Sequence, residues 1–216
     1  MNVITSHPVA RRGLMGALLA VGATGLSAAP GAGLTSAVRL QQLPESAADK
    51  ASRERRRQLR TPNVPLLDHD GRTVRFYDDV MKDRKVVLNV MYTVCSNVCT
   101  PATFNLMEAR RLLGEEAKDL HFVSMSLTPL SDTPEALRQY KKLHGIDERW
   151  TFLTGKIEHV EKVQRALGFL GDRATDDLLS HSAMARVCDE RNLRWSHINT
   201  LLSARSIARM IRFEMV

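Results

Sequence analysis

Cysteine, aromatic side chains and long apolar runs are all scarce in this chain of 216 residues, and each shortage removes a class of explanation. Three cysteines are too few for a disulfide scaffold, and a chain of this length can bury its own core without one. Aromatics make up 5% of the residues and no basic stripe is interleaved with them, so the formal charge of +7 does not indicate nucleic acid. Much of that charge lies in the first residues and in Lys50 to Arg60, which reads as a solvated linker or a short helix, with attraction to anionic lipid as a second reading. The nine methionines form no Met-x-Met cluster, no internal repeat is visible, and Cys-x-x-Cys is absent. The small-residue stretch Gly13 to Ala29 covers 17 positions rich in Gly and Ala, short of the roughly 20 that span a bilayer comfortably.

That stretch is informative in another way. Arg11-Arg12 precedes it and Ser27-Ala28-Ala29-Pro30 ends it, which is the pattern of an export signal with a small-residue cleavage site. Ala10-Arg11-Arg12-Gly13-Leu14-Met15 is similar to a twin-arginine signal, with Leu14 where Phe is commoner. The chain therefore divides into residues 1–29, an export signal or weak membrane anchor, residues 30–60, a flexible basic linker, and a domain over 61–216. Either use of the leader places that domain in the periplasm or on the extracytoplasmic face of the cytoplasmic membrane, where disulfides are permitted.

Val64–Leu67 and Thr73–Phe76 flank Asp68-His69-Asp70-Gly71, so a β-hairpin is expected there. Val86–Met91 reads as a buried strand, Thr103–Leu113 as a helix and Leu120–Leu127 as the next strand. Asp132-Thr133-Pro134-Glu135 opens a helix that stops at Gly145, with capping as the expected task of Asp132, favoured over a role at a metal. Trp150–Leu153 is a strand and Ile157–Leu167 a helix. Ala183–Cys188 and Leu193–Ile198 form a second hairpin before the helix Ala204–Phe213. A βαβ core followed by an antiparallel hairpin and a terminal helix predicts an α/β, thioredoxin-like fold. Its central mixed sheet would be flanked by helices and extended by the N-terminal hairpin.

Cys95 and Cys99 follow the strand Val86–Met91, at the sheet end where open α/β folds build their sites. Positions i and i+4 share one face of a helix, so the two sulfurs can converge on one point. If Cys95 opens that helix, its thiolate gains from the helix dipole. Such a pair can hold a soft metal or cycle as a dithiol. Among seven histidines, His7 is in the leader, while His69, His121, His144, His159 and His197 read as surface or edge residues. His181, in Leu-Leu-Ser-His-Ser-Ala-Met-Ala before the second hairpin, is the candidate third ligand. Cys188 lies an odd separation from His181, hence on the opposite face of a strand, and reads as a buried structural thiol.

Tyr-Thr-x-Cys-x-x-x-Cys, Asp-Thr-Pro-Glu after a strand and His-Ser-Ala before a hairpin strand, in this order, resemble the SCO/SenC family. The similarity runs from about Thr61 to Phe213. It implies a membrane-associated, thioredoxin-like copper protein that helps assemble the dinuclear CuA site of cytochrome c oxidase. It also implies copper ligation by Cys95, Cys99 and His181, with the CuA-bearing oxidase subunit or a similar copper protein as partner. Two thiolates and one imidazole suit Cu(I) and accept Cu(II), and three ligands leave one side open for transfer, unlike a closed four-ligand zinc site. His181 must be neutral to bind, so affinity should fall with pH. The family often has proline directly after each cysteine, whereas Ser96 and Thr100 stand here and Pro101 comes one position late. The loop is then expected to be more adaptable. The competing reading is a thiol–disulfide oxidoreductase that uses Cys95 and Cys99 to reduce a copper-site client, although thioredoxin-type reductants space their cysteines by two. A peroxidase reading is weaker, because Pro-x-x-x-Thr-x-x-Cys is absent, and a purely structural role for both cysteines is the remaining one.

Overall fold

The computed structural model describes residues 46–94, 99–170 and 183–215. The leader, Cys95 and His181 lie outside the described residues.

Helix α1 (Ala47–Arg60) starts on Ser46, whose hydroxyl accepts from the Asp49 amide. The hairpin strands β1 (Pro65–Asp68) and β2 (Thr73–Arg75) follow, then a π-helical turn (Phe76–Met81) and β3 (Lys85–Met91). Helix α2 (Cys99–Leu113) and a 3-10 turn (Gly114–Asp119) lead into β4 (Leu120–Ser126). The remaining elements are α3 (Pro134–Leu143), β5 (Trp150–Thr154), α4 (Ile157–Ala166), β6 (Met184–Asp189), β7 (Arg194–Asn199) and α5 (Ala204–Met215).

The described strands form one mixed sheet in the order β2-β1-β5-β4-β3-β6-β7. β3, β4 and β5 run parallel, and antiparallel pairs extend both edges. This is the expected architecture, and the N-terminal hairpin attaches beyond β5, through Leu67 opposite Thr154. β3 is central and covered on both sides, which is why Val86–Met91 reads as an unbroken apolar run rather than an alternating one.

Alternation along the strands divides the core in two. Val87 and Met91 face a cluster with Phe122, Trp150 and Phe152, covered by Leu106 and Ala109 of α2, Leu137 and Tyr140 of α3, and Ile207 and Ile211 of α5. Val86, Leu88 and Val90 face the other cluster, covered by Val160 and Val163 of α4 and by Phe76, Val80 and Met81 of the π turn. A short polar chain crosses the sheet within this packing. The Trp150 indole donates to Ser124 Oγ (2.9 Å), which donates to Asn89 Oδ1 (2.7 Å). Each buried polar group is thereby partnered, and the three central strands are held in one register.

His69 departs from the surface role expected of it. It is buried, with Nδ1 accepting from the Phe152 amide (3.3 Å) and Nε2 at 2.7 Å from Lys141 Nζ. The turn that carries it folds back over the β5 edge, a placement that the hairpin signal does not encode.

Candidate metal centre

β3 ends at Met91 and the chain reaches Thr93 and Val94 at the carboxyl edge of the parallel strands. Cys99, the first described residue of α2, is fully buried in the cluster of Met91, Leu106 and Ala109. Pro101 lies within α2.

The start of β6 lies at this same end. Register Asn89↔Ala185 in an antiparallel pair sets the beginning of β6 beside the end of β3. Thr200, just past β7, donates its amide to Ala183 O (2.7 Å) and accepts from Asn105 Nδ2 on α2 at its own carbonyl (2.9 Å). Residue 183, two positions after His181, is thus tied through Thr200 to the helix that carries Cys99. Of the expected ligands, Cys99 is described and stands at this edge. The chain on either side of Cys95 and just after His181 comes to the same edge. Among the described residues no group of three or more His, Cys, Asp or Glu side chains is arranged to hold a metal ion.

A residue that the sequence reading cast as a helix cap has another role. Thr133 is the N-cap of α3: its hydroxyl accepts from the Ala136 amide (3.2 Å), and Pro134 follows in the first turn. Asp132 is fully buried and points the other way. Its Oδ1 accepts from the Thr93 amide (3.0 Å) and the Thr93 hydroxyl (2.6 Å). Its Oδ2 accepts from Ser126 Oγ (2.6 Å) and Thr128 Oγ1 (3.0 Å). Ser126 Oγ in turn accepts from the Thr128 amide, and the Ser126 carbonyl accepts from Gln164 Nε2 on α4 (2.7 Å).

Cys188 sits well away from this arrangement. It pairs with Val86 and faces the cluster on the opposite side of the sheet from Cys99. Burial, followed by the nearby Glu190 and Asp189 carboxylates, pushes its thiol far above the ordinary range, so it is an inert core residue.

The SCO1/SenC family model matches residues 53–215. A Stutzerimonas stutzeri protein named "Putative copper-binding protein" is 30% identical over 164 residues, covering 72% of this chain and 76% of that protein. Copper-bound ScoI of Bradyrhizobium japonicum superimposes with a TM-score of 0.57 at 23% identity, over 71% of this chain and 98% of its own. BsSco, described as a Sco-family cytochrome c oxidase assembly protein with a disulfide switch, does so with a TM-score of 0.56 at 18% identity, over 69% and 89%.

Proposed function

The chain belongs to the SCO1/SenC family, and from that premise we propose that it is an extracytoplasmic copper metallochaperone. It binds one copper ion through Cys95, Cys99 and His181 and assists assembly of the CuA site of a cytochrome c oxidase. The observation that carries this reading is the match of the family model across all three residues. The meeting of β3, the start of α2 and the start of β6 at one sheet edge supports it. The copper bound in a solved relative and the copper-binding name of a 30% identical one point the same way.

The donor types fit the cargo. Two thiolates and an imidazole favour Cu(I), tolerate Cu(II), and leave a face open for stepwise exchange to a partner's ligands. Residues 1–29 act as an export signal or weak anchor, and the stretch from residue 30 to the start of α1 as the spacer to the folded domain, to which α1 belongs. The partner is the CuA-bearing subunit or a similar copper protein.

Anaerobic titration of the reduced chain with Cu(I) and Cu(II) tests the proposal. One copper per chain is expected, with a Cu(II)–thiolate charge-transfer band that Cys95→Ser, Cys99→Ser and His181→Ala each remove or displace. A second reading, reduction of a client disulfide by Cys95 and Cys99, draws on the disulfide switch of BsSco. His181→Ala separates the two, since it abolishes copper binding and leaves dithiol exchange largely intact. Copper affinity unchanged in that variant would sink the three-ligand proposal.

A further inference from the structure

We propose that Asp132 is a positioning residue for the metal site, which sets where the cysteine loop leaves the sheet. The argument starts from its burial. A carboxylate with no exposed surface is costly unless hydrogen-bonded on both oxygens, and here each oxygen receives two donors. The donors come from two separate segments. Ser126 and Thr128 belong to the end of β4 and the turn after it, whereas Thr93 belongs to the turn after β3 and lies 39 residues earlier in the chain. Asp132 therefore joins two loops at the carboxyl edge of the sheet. The anchor for the β4 side is itself fixed, because Gln164 holds the Ser126 carbonyl from α4.

The grip on Thr93 is on both backbone and side chain. The amide bond sets the direction of the chain at that residue, and the hydroxyl bond prevents rotation about it. Cys95 follows two positions later. The ladder bond from the Leu127 amide to the Met91 carbonyl (2.7 Å) joins the same two segments just before this link begins. Helix capping does not account for Asp132, because Thr133 makes the cap. Residues that orient metal ligands from behind, when removed, typically cost about 10–100-fold in metal affinity.

The proposal rests on the copper reading for one of its two readouts and is independent of it for the other. The full chain is compared with Asp132→Ala, Asp132→Asn and Thr93→Val. Asn keeps an oxygen for Thr93, and its amino group can donate to Ser126 and Thr128 once their hydroxyls rotate, so Asp132→Asn should stay near the parent. Val keeps the shape of Thr93 and loses only the hydroxyl bond. Competition with a chromophoric Cu(I) chelator should show binding weakened at least tenfold in Asp132→Ala and severalfold in Thr93→Val. The Cu(II)–thiolate band should shift in both and stay in place in Asp132→Asn. In the metal-free chain, Cys95–Cys99 disulfide formation by oxidised glutathione should be slower in Asp132→Ala and Thr93→Val. Parental affinity, spectrum and oxidation rate in Thr93→Val and Asp132→Ala would overturn the proposal, whatever their unfolding midpoints. If Asp132→Ala does not fold, Thr93→Val against Asp132→Asn decides. If the parent holds no copper, the copper reading fails and the oxidation rates alone decide the positioning role.

Discussion

Asp132 and Thr133 are neighbours with different tasks, and the difference follows from which way each side chain faces. Thr133 meets the free amides of α3, while Asp132 turns into the sheet edge and gathers donors from two loops. Thr133→Ala should therefore cost about 1 kcal/mol of stability, the ordinary cost of a lost N-cap, and leave copper affinity at the parental value. Urea unfolding and chelator competition on the same sample check both halves. Cys188 offers the complementary case, a thiol with no link to the metal edge. Removing its sulfur leaves a small hole in the cluster of Val86 and Leu88, so Cys188→Ala should lose about 1 kcal/mol and still bind one copper. A changed stoichiometry in metal analysis would contradict that separation.

At the scale of elements, the basic segment ahead of the domain forms α1, and its last turn meets the tip of the β6–β7 hairpin. Arg57 Nε lies 2.7 Å from Glu190 Oε1, a close charge contact whose angle is too poor for a hydrogen bond. Glu190 is buried and also accepts from the Tyr77 hydroxyl (3.2 Å) and the Asp83 amide (2.9 Å). Tyr77 is pushed up to about 12, by burial first and then by the Glu190 charge. Arg57→Ala leaves that buried carboxylate without its cation, and a loss of about 1–2 kcal/mol is expected because Arg57 keeps some contact with water. Urea titration gives the value, and an unchanged midpoint would mean that α1 contributes nothing through this pair. Lysine and arginine content alone marked this stretch as a linker, because charge density describes solvation and is silent about a single buried partner some 130 residues away.

For the whole molecule, stability should fall as the medium is acidified, through histidines that are neutral when folded. His121 is held down to about 4, by burial first and then by the Arg84 and Arg110 charges. His69 is lowered in the same sense, by burial and then by Lys141. Unfolded, both take up a proton near the ordinary value of about 6.5. The unfolded chain thus binds more protons between about 6.5 and 4, so the stability these residues contribute is complete above that window and is lost as pH falls through it. Urea unfolding of the metal-free chain from pH 7 to 4 should show this decline, and His121→Gln should flatten it. A slope of equal size in the variant would assign the effect to other groups.

The order of elements and the buried central strand could be read from the sequence, because each depends on local period, capping or residue type. The run Val86–Met91 is apolar throughout since it is covered on both faces, and it announces itself without any partner being known. Tertiary structure alone decided that Cys99 and Cys188 face opposite sides of the sheet, that His69 is buried against β5, and that Asp132 reaches Thr93 across 39 residues. Those outcomes depend on which strands become neighbours and in what register. Local spacing carries no record of that, because the contacts form between segments brought together only when the chain has folded.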